Sequence, residues 1–260
     1  MIKRIVSSVI LIPLVVYLVL KADLLYVRLS FLLIEALAFS EWLGLDSRPF
    51  DFKKSLYLSL SIILSFVFLF YSMYFVDVLF FALVVSMIVG FSSLSKKEVF
   101  YDYYYFVGAL YVILYSFGVK LMGFNNGRWL LLLLFVSIWS GDSFAYFCGR
   151  GFGRHKLSPL ISPKKTIEGA VCGVLGGVFI GVLFGLFAKV NILDAFIVAF
   201  VSNVVGIFGD LSESVVKRFF SKKDSSHLIP GHGGILDRLD SFSFAVFFSY
   251  LVLECKTLLF

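Results

Sequence analysis

Apolar runs about as long as a bilayer is thick recur along almost the whole chain, separated by short polar breaks. Nine of them read as membrane-spanning helices, at roughly 5–21, 25–45, 54–73, 75–94, 103–122, 129–148, 166–187, 191–209 and 240–259. Asp77 intrudes near the start of the fourth. The fifth opens in a tyrosine cluster, Tyr101, Tyr103, Tyr104 and Tyr105, of the kind that lies at a membrane–water interface. The two longest polar segments are about 149–165 and 210–239. The expected fold is therefore all-α: a polytopic transmembrane helical protein of about nine spans. Residues 1–128 would supply the N-terminal helices and 129–260 the C-terminal helices, as one integral unit.

Composition agrees with this pattern. The chain is 60% hydrophobic and only 15% charged, with a mean hydropathy of +0.97, whereas a soluble domain carries about 25% charged residues. That excludes a soluble helical protein with an oversized core. Lys3 and Arg4 before an apolar run resemble a signal peptide, but Leu20-Lys21-Ala22 lacks the small residue that cleavage requires. The run reads as an uncleaved first span.

Charge orients the bundle. With the N-terminus in the cytoplasm, 17 of the 23 Lys and Arg residues fall on the cytoplasmic side of the nine-span arrangement, as the positive-inside rule expects. The net charge of +6 is thus explained by topology rather than by nucleic-acid binding. Both long polar segments then face the cytoplasm, as the N-terminus does, in a multi-pass protein of the cell inner (plasma) membrane. Cys148, Cys172 and Cys255 form no Cys-x-x-Cys pair and read as small packing residues. The three histidines have no metal-ligand spacing.

Four clusters carry candidate chemistry. Asp210 ends an apolar span, where an ionised carboxylate is costly, and Ser214 and Lys217 share its helix face. An amphipathic surface helix is the competing reading. Asp237-Arg238-Leu239-Asp240 precedes the last apolar run and follows the turn Gly231-His232-Gly233-Gly234. An acidic helix start would explain it, but a carboxylate here can also face Asp210 and hold Mg²⁺ with it. Ser162-Pro163-Lys164-Lys165-Thr166 reads as a helix start at Pro163, with the lysines beside free helix N–H groups that favour anions. Glu168 would follow into the membrane as a buried acid. Asp142 and Glu41 are intramembrane acids needing partners, as ligands or as structural hydrogen-bonding groups.

Between Ser214 and Asp240, the residues Ser214, Lys217-Arg218, Lys223-Asp224, His232-Gly233-Gly234, Asp237-Arg238 and Asp240 resemble the signature of the phosphatidate cytidylyltransferases. The Ser162–Thr166 element ending in Glu168-Gly169 and the Lys3-Arg4 start also resemble that family. The resemblance implies transfer of CMP from CTP to phosphatidate, giving CDP-diacylglycerol and pyrophosphate in phospholipid biosynthesis. It also implies a divalent ion, usually Mg²⁺ and in one alternative a second cation, and a homodimer. On this reading Asp210 and Asp237 hold the metal. The catalytic group is Asp210, Asp237, Lys217, Arg218, Lys223 and Asp224. Substrate contacts come from Ser162, Lys164, Lys165, Thr166, His232, Gly233, Gly234 and Arg238. Phosphoryl-group transfer asks for positioning and charge neutralisation more than for covalent help, which suits a chain with no Ser–His or Cys–His pairing signal. The rivals are an enzyme of the same chemistry acting on another lipid phosphate and a transporter for phosphorylated solutes. Against the transporter, the charges concentrate on one side.

Overall fold

The computed structural model describes residues 2–71 and 97–259. The helices are α1 (Ile2–Leu20), α2 (Leu24–Gly44), α3 (Phe52–Phe70), α4 (Lys97–Ile113), α5 (Phe117–Leu121), α6 (Gly127–Phe152), α7 (Ile167–Phe187), α8 (Ile192–Phe219) and α9 (Leu236–Leu259). A single 3₁₀ turn, Leu114–Ser116, joins α4 to α5. The chain is a multi-pass membrane protein, with fewer clear spans among its described residues than hydropathy suggests. Among the described residues six helices are long and apolar enough to cross a membrane: Phe52–Phe70, Phe100–Leu121, Gly127–Phe152, Ile167–Phe187, Ile192–Phe219 and Leu236–Leu259. The first expected span yields a shorter apolar helix, Ser7–Leu20. The second, α2, carries Arg28, Glu35 and Glu41, and each charge inside a span raises the cost of crossing. The fourth, 75–94, lies outside the described residues.

The segment Phe100–Leu121 is the most enclosed of the six. It packs on α2, α3 and α9, largely through aromatic rings. Trp42 stacks on Tyr104 and Tyr111, and its indole N–H donates to the Tyr104 carbonyl at 3.1 Å. Such rings contribute contact area while their polar tips find partners. At the elbow between α2 and α3, Asp46 accepts from Lys54 at 2.5 Å and from the Tyr105 hydroxyl at 2.6 Å. Burial pushes the Asp46 carboxyl upward, but the Lys54 and Tyr105 bonds outweigh it and hold the group below the usual carboxylate range.

The C-terminal helices pack differently. The hydrophobic effect gives little drive for helix association in lipid, so close approach of small residues takes its place. At the α6–α7 contact a Cβ on Gly169 would lie 2.8 Å from the Ala145 carbonyl and 3.1 Å from the Gly149 Cα. Gly169→Leu would therefore wedge the pair apart. Cys148 and Cys172 face each other across this contact, with Cα atoms 6.3 Å apart. Their proximity was not visible in the sequence, where 24 residues separate them.

Between α6 and α7 lies a short sheet. Strands β1 (Lys156–Ser158) and β2 (Ser162–Thr166) form an antiparallel pair. Ser162-Pro163-Lys164-Lys165-Thr166 is thus a strand, and the helix start expected at Pro163 falls at Ile167. The Thr166 hydroxyl caps it, accepting from the Gly169 N–H at 3.2 Å. A β-branched residue in extended conformation suits that capping position, and proline is tolerated at the edge of so short a sheet.

Candidate functional site

The hairpin closes one end of the bundle over a cavity of about 490 Å³ between α6, α7, α8 and β2. Its mouth carries Arg150, Lys156, Lys164 and Lys165, and its wall carries Asp142 and Asp210. Ile138, Val174 and Ile207 line an apolar part. A volume of this order suits a small ligand. Deeper in, Ser202 and Asn203 contribute polar groups. The Asn203 amide donates to the Ala199 carbonyl at 2.8 Å, which fixes its orientation.

Lys165 is the hub. Its ammonium ion-pairs with Asp210 and also feels the charges of Asp240 and Asp142. Burial pushes the ammonium below its ordinary value; Asp240 and Asp142 pull it back, and the like charge of Lys217 pushes in the same direction as burial. Asp142 feels the positive charges of Lys165 and Arg238 and the like charge of Asp240. Ser214, one helical turn from Asp210, lies within hydrogen-bond reach of it at 3.3 Å. The backbones of α8 and α9 approach closely beside these groups: a Cβ on Gly206 would meet Ser241 at 3.4 Å.

About one turn further along α8, a second group of acids is bound into the loop that precedes α9. Asp237 Oδ1 accepts from the Lys217 ammonium at 2.7 Å, and Lys217 also pairs with Glu213 at 2.8 Å. Asp237 Oδ2 accepts from the Ser225 N–H and the Gly234 N–H, each at 2.8 Å. The Gly234 bond reaches back three residues, as the acid of a capping box does. Gly233 has φ +83°, and a Cβ there would lie 2.7 Å from Asp237 Oδ2, so both conformation and space call for glycine.

Glu41, from α2, completes this loop seat. Oε1 accepts from the Ser226 hydroxyl at 2.7 Å and the Ile235 N–H at 3.1 Å. Oε2 accepts from the Leu236 N–H at 2.9 Å. The Ser225 hydroxyl sits 3.0 Å from Glu41 Oε2 and 2.9 Å from Asp237 Oδ2, and it has one proton to donate to either. Glu41 therefore caps the start of α9 from another helix, placing negative charge where the helix dipole favours it. Of its two expected roles, the structural one describes its contacts.

The other expected site residues distribute around these two groups. Arg218 donates to the Ile161 carbonyl at 3.3 Å, tying the end of α8 to the hairpin. Lys222 donates to the Gly44 carbonyl at 2.7 Å. His232 meets the Ser7 hydroxyl at 2.7 Å through Nδ1. Lys164, Lys223, Asp224 and Arg238 are exposed, and Ser162 is half-buried on β2. Thr166, buried, lines the cavity as well as capping α7. Glu168 is not the buried acid expected: it accepts from the Arg154 and His155 N–H groups and the His155 ring, at 2.6 to 3.2 Å, on the polar side of the hairpin. Asp240 and Asp142 belong to the Lys165 environment, which their sequence positions alone did not show.

Among the described residues no group of three or more His, Cys, Asp and Glu could hold a metal ion by itself. Mg²⁺ does not need one, because it is bound through one or two carboxylates with substrate phosphates and water. Asp210, at the cavity wall beside an ammonium that already serves as its counter-cation, fits that role. Asp237 is held in place by four donor contacts, and a carboxylate's lone pairs could still admit an ion on the side of Lys217.

The sequence profile of the cytidylyltransferase family matches residues 2–256. Over 132 residues the chain is 45% identical to the phosphatidate cytidylyltransferase of Haemophilus influenzae, covering 48% of this chain and 46% of the relative. It is 45% identical over 120 residues to that of Bacillus subtilis, covering 45% of each. To that of Thermotoga maritima it is 40% identical over 131 residues, covering 47% of this chain and 48% of the relative. The matched stretch thus spans about half the length of these curated relatives.

Proposed function

The chain belongs to the cytidylyltransferase family, and from that premise we propose that it transfers CMP from CTP to phosphatidate, releasing pyrophosphate. One observation carries the reading: a cavity with Lys164, Lys165, Arg150 and Lys156 at its mouth, two acids in its wall, and apolar residues beneath. Phosphates and a metal ion fit the charged end, and the glycerol and acyl chains of a lipid fit the apolar end. Its lateral walls are membrane helices, so a lipid reaches it from the bilayer.

In the proposed reaction a phosphate oxygen of phosphatidate attacks the α-phosphorus of CTP. A new P–O bond forms, the bond between the α-phosphorus and its bridging oxygen breaks, and pyrophosphate leaves with the electron pair. A phosphate monoester is already a competent nucleophile near neutral pH, so the residues position and neutralise rather than abstract a proton. Lys164 and Lys165 bind the triphosphate, and Lys165 moves from Asp210 to phosphate as the nucleotide enters. Lys217, Arg218 and Lys223 supply positive charge towards the leaving and attacking groups. Gly233 and Gly234 hold Asp237 in register, and His232 and Arg238 lie on the same loop. Mg²⁺, held by Asp210 and Asp237 with Asp224 near the same loop, would neutralise the phosphate oxygens; a second cation is compatible with the number of acids present.

We place the hairpin and the loop before α9 in the cytoplasm, in a cell membrane protein that works as a homodimer. Three crossings follow the hairpin, α7, α8 and α9, an odd number that sends the end of α9 at Leu259 to the opposite face. Reporter fusions at Phe260 and within 153–166 are expected to report opposite sides. The reaction is tested by incubating purified protein with labelled CTP, Mg²⁺ and phosphatidate. Pyrophosphate release that requires the lipid is expected; release without lipid, or none with it, contradicts the assignment.

A further inference from the structure

A second cavity, also about 490 Å³, lies at the opposite end of the bundle. It is built from the N-terminal ends of α2 and α6, the α5 turn and the C-terminal end of α9, with Arg28, Lys120 and Arg128 around it and Glu254 as its one acid. Arg28 lies 13 residues before Glu41 on α2, so the two sites stand roughly 20 Å apart along the helix. None of its lining residues serves the CTP site described above.

The three cations are held in place by the fold. Arg128 donates to the Val19 and Ala22 carbonyls at 3.0 and 2.8 Å. The Lys120 ammonium sits over the rings of Phe68, Phe117 and Tyr250, at 4.5, 5.5 and 5.7 Å. The Arg28 guanidinium lies 5.5 Å from the Phe70 ring centre. Its Nε is buried with no hydrogen-bond partner among the described residues. Most buried polar groups have a partner, so a buried guanidinium nitrogen without one calls for an acceptor. Cations fixed on ring faces and backbone carbonyls around a cavity make a pre-organised anion site.

We infer that this cavity binds a phosphate group at the membrane face opposite the CTP site, with Arg28 as its principal donor. Glu254 works against a polyanion such as a triphosphate, so a singly charged phosphodiester or a small phosphate fits best. The apolar walls at Phe68, Leu69 and Phe124 would accept the glycerol end of a phospholipid. A lipid headgroup of that leaflet and soluble phosphate share this chemistry.

The test uses the full chain in detergent, wild type and Arg28→Gln, with CTP-dependent turnover recorded alongside. Each protein is titrated with inorganic phosphate and, separately, with a short-chain phosphatidylglycerol, following thermal stability and lipid retention by native mass spectrometry. Saturable stabilisation of the wild type by the lipid alone identifies a headgroup site, and stabilisation by both identifies a general phosphate site. Arg28→Gln is expected to weaken the binding roughly tenfold, as the loss of a charge-assisted donor does, with turnover unchanged. No saturable binding by the wild type, or equal binding by the variant, overturns the inference. If Arg28→Gln does not fold, a photoreactive phosphatidylglycerol on the wild type decides. Labelling at 24–28, 120–124 and 250–254 supports the site, and labelling confined to the hairpin end overturns it.

Discussion

Two clusters of acids meet α8 about one helical turn apart, at Asp210 and at the Glu213–Lys217 pair, and they are finished in different ways. Around Asp237 and Glu41 nearly every carboxylate oxygen meets a defined donor: Lys217, Ser225, Ser226, and the N–H groups of Gly234, Ile235 and Leu236. Around Asp210 and Asp142 the acids face a cavity, and Lys165 from the hairpin pairs with the first and, with Arg238, lends positive charge to the second. A buried acid surrounded by donors fixes a loop; an acid at a cavity wall with an exchangeable cation has capacity left for a ligand. The difference separates acids whose oxygens are mostly committed to a loop from acids whose oxygens are mostly open to a ligand.

Mutations should separate the two clusters. Asp237→Asn breaks a buried ion pair and leaves Lys217 with Glu213 alone. Activity should be lost together with stability of about 1–3 kcal/mol, because the amide presents N–H groups where the Ser225 and Gly234 N–H donors need an acceptor. Denaturant or thermal unfolding in detergent checks this, and a fully stable variant would show that Asp237 does not hold the loop. Asp210→Asn should do the reverse. Turnover should fall by roughly 10²–10³-fold, the scale of removing one pre-organised charge-stabilising group, while the unfolding midpoint stays near wild type. Near-normal turnover at saturating Mg²⁺ would remove Asp210 from the metal.

Glu41→Gln sharpens the contrast from the loop side. The amide keeps one acceptor oxygen but presents N–H groups to the Ile235 or Leu236 N–H donors. Stability should fall by about 1–3 kcal/mol, and hydrogen exchange at 225–236 should quicken. Turnover should drop less than in Asp210→Asn. Loss of turnover with an unchanged loop would show that Glu41 acts on substrate.

Much of this arrangement was legible in the sequence, and what was not has physical causes. Asp210, Lys164, Lys165 and Thr166 were expected together and share one cavity wall. The strand at Ser162–Thr166 was misread as a helix start because Ser-Pro is also a common helix opening; the capping contact of Thr166 with Gly169 is what moves the boundary. Glu168 was expected in the membrane because it follows Thr166 into an apolar run, but at the first turn of α7 its side chain reaches back to the hairpin. The contacts of Glu41 span 184 to 195 residues of sequence, beyond any local pattern. Among the described residues the span count overshot at two places: the first apolar helix, Ser7–Leu20, is short, and α2 has the length of a span but carries three charges.

The smallest of these effects bears most directly on the central claim, that the hairpin-end cavity holds the triphosphate of CTP. Lys165→Ala removes the ammonium paired with Asp210 while leaving the loop seat intact. Equilibrium CTP binding to wild type and variant, measured in detergent with Mg²⁺, is the decisive comparison. CTP affinity is expected to weaken by about 1–3 kcal/mol, with a raised KM for CTP and a smaller change for phosphatidate. Unchanged CTP affinity with a large loss of phosphatidate affinity would contradict the account and give the lysine to the lipid phosphate.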